Sequence, residues 1–178
     1  MPAARSSGAW QRVRAATALR SCHRGSVANA DKQLVGWRER VGLPDLFDGL
    51  IPAKIDTGAR TSSLHATGIE RYLAGRRKMV RFLLDVGGGA SEPVVCELPH
   101  ADHRIITSSN GQSEERLIIK TRIAIGSHVF RAEFSLTDRS DMKFPILVGR
   151  TALRRGFLVD SSRSYLQSGA AERRRILR

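Results

Sequence analysis

The fold of this chain is decided by the segment Ala53-Lys54-Ile55-Asp56-Thr57-Gly58-Ala59-Arg60-Thr61-Ser62. A short strand candidate, Leu50–Ile55, ends at Asp56, and a polar turn follows before another strand begins. Taken alone, Asp-Thr-Gly also has an ordinary structural explanation, because aspartate and glycine favour turns for reasons of backbone geometry. The rest of the chain must therefore show what this turn is for.

A second informative segment is Phe144-Pro145-Ile146-Leu147-Val148-Gly149-Arg150-Thr151-Ala152-Leu153. Its apolar stretch Ile146–Val148 predicts a strand that runs into a glycine. A short helix is expected near Thr151–Arg155. The chain thus holds a strand ending in Asp-Thr-Gly and, much later, a strand ending in Val-Gly-Arg.

Alternation of apolar and polar residues recurs between these two segments and is typical of strands with one buried face. Val80–Val86 alternates except at Leu83, and Gly126-Ser127 separates two alternating segments in a pattern that predicts a β-hairpin. The two hairpin segments are Leu117–Ile125 and Phe130–Leu136, and shorter candidates are Leu34–Val41, Val94–Leu98 and Phe157–Val159. Many short strands with turn residues between them predict an all-β sandwich or small barrel.

The composition fits one folded domain. The 178 residues are 41% hydrophobic and 26% charged, which is usual for a globular protein. No run of apolar residues is long enough to span a membrane. The only cysteines are Cys22 and Cys96, too few for a disulfide framework, so we expect a reducing, cytoplasmic location.

The net charge of +13 favours acidic partners such as nucleic acid, a ribosome or an acidic peptide. Much of the excess lies at the ends of the chain. Residues 1–31 hold five arginines against the single acid Asp31, and we expect a basic, disordered leader, with a targeting role left open. Residues 169–178 form an arginine-rich tail, which leaves 32–168 as the folded domain.

Together these segments resemble the bacterial branch of the retropepsin-like aspartic peptidases, a family long catalogued as ATP-dependent zinc proteases. The resemblance covers Leu34 to Leu166. Further segments that carry it are Val35-Gly36-Trp37-Arg38-Glu39, Ser108-Ser109-Asn110-Gly111 and Asp141-Met142-Lys143-Phe144. It implies a closed β-barrel with one short helix, a homodimer, and a catalytic turn made of Asp56, Thr57 and Gly58.

Peptide hydrolysis of this kind uses two carboxylates that share one proton and hold one water. The chain has one Asp-Thr-Gly and is too short for two lobes, so a homodimer would supply the second Asp56 across a two-fold axis. The Thr57 hydroxyl would hold the geometry of the pair, and Gly58 would let the backbone approach closely.

Two arginines flank the two motifs, Arg60 after the catalytic turn and Arg150 after the glycine of the second segment. We expect both near the cleft, where they either bind carboxylates of an acidic substrate or brace loops through backbone carbonyls. The family is linked to trimming of glutamate tails that an ATP-grasp ligase adds to a small-subunit ribosomal protein. That link implies a ribosomal protein as a partner and fits the basic charge.

We expect no metal and no other cofactor, because the chain has no His-Glu-x-x-His and no Cys-x-x-Cys. One alternative is a zinc-dependent peptidase that uses His100, Asp102 and His103, expected in a loop downstream of Cys96. Another is a non-catalytic basic β-barrel that binds RNA or a ribosome. The aromatic content of 6% is low for base stacking.

Overall fold

The alternating segments form ten strands and one short helix in a computed structural model, which describes residues 32–87, 92–107 and 111–168. Its elements are β1 (Gln33–Gly36), β2 (Arg38–Leu43), β3 (Phe47–Ile55), β4 (Ser62–Ala74), β5 (Arg77–Leu84), β6 (Val94–Thr107), β7 (Ser113–Ile125), β8 (His128–Thr137), β9 (Ile146–Val148), α1 (Arg150–Leu153) and β10 (Phe157–Asp160). Strands account for 65% of the described residues and the helix for 3%, which confirms the all-β prediction.

Most neighbouring strands are joined as antiparallel pairs. β2 pairs with β3, and β4 to β8 pair in chain order. The predicted hairpin between Leu117–Ile125 and Phe130–Leu136 is confirmed as β7 and β8. It turns at Gly126, whose φ of +57° is favourable for glycine and unfavourable for most other residues.

The strands close into a ring. β9 lies between β3, to which it is parallel, and β4, to which it is antiparallel. β4 also pairs in parallel with β8, and β2 meets β7 where Gly42 is opposite Ala124. The strands β2 to β9 therefore form the predicted closed barrel, while β1 and β10 form a separate parallel pair.

Alternate strand positions fill the interior of the barrel. Val80, Phe82 and Leu84 are fully buried on β5, and Leu83 between them is 36% exposed. The one residue that departs from the alternating sequence pattern thus faces outward, and the pattern is still that of a half-buried strand. Burial of each such side chain favours folding by about 1.5–3 kcal/mol.

The first predicted strand, Leu34–Val41, is divided at Trp37 into β1 and β2. The Trp37 N–H donates to the carbonyl of Arg163 at 3.0 Å, and the Trp37 carbonyl accepts from the N–H of Ile55 at 2.9 Å. Before this residue the chain pairs with β10, and after it the chain pairs with β3. The prediction of one continuous strand was wrong because this partner lies far away in the sequence.

β6 is much longer than the predicted Val94–Leu98. Its first residues pair with β5 and its later residues with β7, and the change of partner occurs next to Pro99, which has no N–H to donate. Residues 100–103 lie in this strand, at an irregularity between His100 and Asp102. The prediction of a loop for these residues was therefore wrong.

A buried carboxylate joins the beginning of the domain to its end. The Glu39 side chain is fully buried. It accepts hydrogen bonds from the N–H of Gly36 (2.8 Å), Leu166 (2.8 Å) and Gln167 (3.2 Å) and from the hydroxyl of Ser168 (2.6 Å). Because bonds to an ionised acceptor are stronger than neutral ones, Glu39 holds the segment 166–168 against β1 and β2.

The residues next to Glu39 pack on the same segment. A Cβ on Gly36 would lie 2.6 Å from the carbonyl oxygen of Arg163, so no larger residue fits there. The Arg38 guanidinium lies 4.8 Å from the Trp37 ring centre and 5.2 Å from that of Tyr165. The segment Val35–Glu39 therefore serves the architecture of the domain.

Within residues 32–87, 92–107 and 111–168, no helix has the length and apolar character needed to cross a membrane. The expected leader, 1–31, and the expected tail, 169–178, lie outside the described residues. So does most of the turn-rich segment 108–111.

We expect Glu39→Gln to lower the free energy of unfolding by about 2–3 kcal/mol, because an amide accepts fewer bonds and turns its NH₂ toward buried donors. Urea unfolding followed by circular dichroism measures this change. Glu92→Gln is the matched control, since Glu92 is exposed. A Glu39→Gln protein as stable as the control would show that the carboxylate does not hold the two ends together.

Candidate active site

Asp56 lies at the end of β3, where two other strands fix its backbone. Its N–H donates to the carbonyl of Val148 at 2.9 Å, so β9 lies on one side. The N–H of Ile55, one residue earlier, donates to the carbonyl of Trp37. The start of Asp56 is therefore part of the barrel, and only its side chain and the following turn leave it.

The turn itself orients the Asp56 carboxylate. Oδ1 accepts the N–H of Gly58 at 2.9 Å and the N–H of Ala59 at 3.2 Å. A Cβ on Gly58 would lie 3.1 Å from Oδ1, which is tighter than an ordinary contact. Glycine at this position therefore allows the backbone to approach the carboxylate, as the sequence predicts.

The second oxygen of Asp56 points away from the turn. Oδ2 lies 3.4 Å from the Nζ of Lys54, and the Asp56 side chain is 24% exposed. Thr57 is exposed, and its hydroxyl makes no hydrogen bond within the part of the chain that the structure describes. One carboxylate oxygen is thus held by backbone amides, and the other pairs with Lys54 in a partly exposed side chain.

The second sequence motif lies directly against this turn. The N–H of Gly149 donates to the Ser62 hydroxyl at 3.1 Å. A Cβ on Gly149 would lie 2.7 Å from the Thr61 carbonyl carbon and 2.8 Å from its oxygen. Its φ of −88° is open to any residue, so glycine is required here for space.

The first residues of α1 satisfy the backbone carbonyls of the turn. The Arg150 N–H donates to Ala59 and the Thr151 N–H to Arg60, at 2.9 and 3.1 Å. The Arg150 guanidinium then donates from Nη1 to the carbonyls of Thr57 and Gly58, both at 2.9 Å. Arg150 thus braces the loop through backbone carbonyls, which was one of the two roles that the sequence left open for it. A role in substrate binding stays a prediction for this residue.

The Arg60 side chain does not brace the turn as that of Arg150 does, although both residues lie at this turn. The Arg60 carbonyl is held by Thr151, and its side chain is exposed. No carboxylate of the described residues forms an ion pair with it. Recognition of an acidic substrate by Arg60 therefore stays a prediction.

Hydrogen bonds within the protein occupy His100 and Asp102, two residues of the proposed zinc site. The Asp102 carboxylate accepts the N–H of His103 at 2.8 Å and Nε of Arg104 at 2.6 Å, and both bonds lower the pKa of Asp102. His100 Nε2 lies 2.6 Å from the Asp102 carbonyl oxygen. Burial raises the pKa of the Cys96 thiol to about 11, so it is not a ready thiolate ligand.

Within residues 32–87, 92–107 and 111–168, no three His, Cys, Asp or Glu side chains are grouped so that they could hold a metal ion. His65, nine residues after Asp56, is buried. Its Nδ1 accepts the N–H of Arg139 at 2.8 Å, with Asp138 at 3.6 Å. His65 therefore packs within the domain and orders the loop that begins at Asp138.

Two charged residues of this region were missed by sequence analysis. Lys54 lies beside Asp56 because alternate residues of a strand share a face. The strand pattern was sufficient to predict this proximity. Arg139 is brought near the site by the loop between β8 and β9, and no sequence pattern indicates it.

The sequence from residue 34 to residue 170 matches the RimB-like family, described as "Retropepsin-like aspartic endopeptidase RimB". The chain belongs to this family of retropepsin-like proteins. This confirms the resemblance inferred from the Asp56 and Gly149 segments.

Several relatives carry another name. A "Probable alpha-L-glutamate ligase" of Shewanella pealeana is 36% identical over 136 residues, which is 76% of this chain and 30% of that protein. A Desulfotalea psychrophila protein of the same name is 34% identical over 130 residues, 72% of this chain and 28% of that protein. The chain therefore spans less than a third of the length of these relatives.

A solved structure supports the fold. The crystal structure of a Legionella pneumophila protein of unknown function (DUF785) superposes with a TM-score of 0.65 and 24% sequence identity. The match covers 75% of this chain and 97% of that one. At this identity the likeness concerns the architecture alone.

The geometry predicts different effects for the two arginines. We expect Arg150→Ala to lower kcat/KM by about 10²-fold on Glu-rich and neutral peptides alike, because the Asp56 turn, which the sequence predicts to be catalytic, loses its brace. Arg60→Ala should lower kcat/KM on Glu-rich peptides alone, by about two- to fivefold, and added salt should mimic this loss. Peptide turnover with the two substrate sets measures both. Selective loss in a folded Arg150→Ala protein would instead establish recognition by Arg150.

Proposed function

We propose that this chain is an aspartic endopeptidase in which two copies of Asp56, one from each subunit of a homodimer, activate one water. The observation that carries the proposal is the Asp56 carboxylate at the end of β3. One of its oxygens is fixed by the amides of Gly58 and Ala59, and the other lies 3.4 Å from the Nζ of Lys54 in a partly exposed side chain. The family to which the chain belongs supports the same reaction class.

The reaction needs two carboxylates that differ in protonation. One takes a proton from the water while the protonated one donates to the scissile carbonyl oxygen. Two carboxylates a few ångströms apart do not both ionise, so the pair titrates as a unit. A single chain supplies one such group, and a two-fold axis beside Asp56 supplies its twin.

The turn is suited to this symmetric arrangement. Thr57 is exposed next to Asp56, and its hydroxyl, which has no partner among the described residues, would in a dimer bond to the partner subunit's turn. Arg150 holds the turn through the Thr57 carbonyl, and Gly149 packs against the Thr61 carbonyl. Each subunit would thus bring a rigid half-site to the axis, and little reorganisation would be needed during the reaction.

We further propose acidic peptides as substrates, in particular glutamate tails of a ribosomal protein, in the cytoplasm. The net charge of +13 favours such partners, and the exposed Arg60 follows the catalytic turn. Relatives that carry a similar domain within a longer chain are named glutamate ligases. An enzyme that shortens glutamate chains would act on the product of such a ligase.

We expect Asp56→Asn to abolish peptide cleavage while the barrel stays folded. Loss of one general acid–base group typically costs about 10²–10⁴-fold, and this substitution changes both copies in the dimer. Cleavage of a quenched fluorescent Glu-rich peptide measures the effect. Asp48→Asn, an exposed aspartate on the same strand, is the matched control. Full activity of the Asp56→Asn protein would refute the proposed chemistry.

The shared site has two further consequences for the same assay. Specific activity should fall on dilution through the dimer dissociation constant, because a monomer holds half a site. Excess Asp56→Asn subunits should inhibit the wild type by forming mixed dimers. A zinc-dependent peptidase would instead lose activity on chelation and on His103→Ala. A monomer that cleaves at full rate would contradict the shared site.

A further inference from the structure

Arg139 lies at the start of the loop between β8 and β9, and three contacts fix it there. Its N–H donates to Nδ1 of His65 at 2.8 Å. Its guanidinium donates from Nη1 to the Ser63 hydroxyl at 3.1 Å and from Nε to the Phe144 carbonyl at 3.3 Å. The side chain is therefore held against the beginning of β4, the strand that follows the catalytic turn.

The acceptors of the Arg139 side chain are all neutral. Within the described residues no carboxylate lies within 4.0 Å of its guanidinium, and Nη2 has no hydrogen-bond partner. Other arginines of the barrel do have acids, such as Arg104 with Glu133 and Arg122 with Asp45. Arg139 is thus a half-buried cation with no ion-pair partner among the described residues, which is an unfavourable arrangement in an isolated domain.

The strand register places this cation on the face of the sheet that carries Asp56. Ser63, which accepts from Arg139, and Lys54 both lie opposite Leu147, and Lys54 shares a strand face with Asp56. Burial lowers the pKa of Arg139, the positive charge of Arg116 lowers it further, and the Asp56 carboxylate raises it. Asp56 therefore lies within electrostatic reach of Arg139 without forming an ion pair. A group bound at Arg139 would lie on the same face of the sheet as Asp56.

Arg116 makes the same region more positive. Its side chain is 15% exposed, and its Nε pairs with Oε2 of Glu114 at 2.8 Å. That oxygen also lies 3.4 Å from the Thr137 hydroxyl, two residues before Arg139. Glu114 thus pairs with Arg116 and not with Arg139, and an additional anion would balance the positive charge of this region.

We propose that Arg139 is a specificity-determining residue that binds a carboxylate of the peptide substrate beside Asp56. This inference rests on the proposed peptidase function and adds a residue to it. A carboxylate can accept from a guanidinium through two parallel bonds, which favours it over a neutral amide. The carboxylate of the ligand would supply the ion-pair partner that Arg139 lacks among the described residues. Binding would therefore recognise the negative charge of the substrate and bury it in one step.

The carboxylate has two chemical sources, a glutamate side chain or the free carboxyl end of the chain. A fluorescent tetraglutamate peptide, its C-terminally amidated form and a tetraglutamine peptide separate them. Binding is measured by fluorescence anisotropy to full-length Asp56→Asn protein, which holds the peptide without cleaving it. Weaker binding of tetraglutamine would identify the side chains as the source, and weaker binding of the amidated form would identify the free end. Equal binding of all three peptides would overturn the proposal.

We expect Arg139→Gln in this background to weaken tetraglutamate binding by about 10–100-fold, the range for losing charge-assisted hydrogen bonds. Binding of a neutral peptide, here C-terminally amidated tetraglutamine, should not change. Arg131→Gln is the matched control, because Arg131 is an exposed arginine on β8. The same loss in this control, or equal loss on neutral and acidic peptides, would overturn the proposal.

A second variant covers the case in which Arg139→Gln does not fold. Arg139→Lys keeps the charge and loses the planar fork, so it should bind acidic peptides less tightly and neutral peptides equally well. Equal losses on both would assign Arg139 a structural role. Binding through Arg139 without cleavage by the wild type would contradict only the peptidase proposal. Cleavage with equal kcat/KM for tetraglutamate and C-terminally amidated tetraglutamine would contradict this inference and the acidic-substrate proposal, but not the peptidase chemistry.

Discussion

The candidate active site depends on how closely the backbone at Thr61 approaches Gly149. A side chain on that glycine would fall 2.7 Å from the Thr61 carbonyl carbon, so the contact exists only because the residue has none. This contact brings the first residues of α1 to the carbonyls of the turn, and each carbonyl finds a donor. With its carbonyls fixed, the turn presents its amides to Asp56 in one orientation. Two sequence-distant segments thus act as one rigid unit.

The features that sequence analysis predicted are those set by neighbouring residues. Strands with one buried face, such as β5 and β7, show the alternation directly, and Leu83 was a useful test because it faces outward. The Asp-Thr-Gly turn is equally local, since Asp56 binds amides only two and three residues away. The short helix after Gly149 follows from the same kind of local signal.

The features that the sequence could not predict are set by distant partners. The first five residues of β4 are buried on both faces, so no alternation marks them. Pro99 looks like the end of a strand, yet β6 continues past it toward a second partner. Arg139 lies in a polar stretch that resembles a solvated turn, and only the barrel reveals that its charge is half-buried. Glu39 likewise appears to be a surface acid until the segment 166–168 covers it.

The span of the Glu39 contacts has a consequence for how the chain acquires its structure. Glu39 bonds to residues 127 and 129 positions later, and β1 pairs with β10 in parallel. Contacts between residues so far apart slow folding, because the intervening loop must close before the contact forms. During synthesis, β2 and β3 can pair as soon as both have left the ribosome. β1 can pair with β10 only after nearly the whole domain has been synthesised. The first of the described strands is therefore the last to be paired, and its open edge is exposed to other chains while the domain is synthesised.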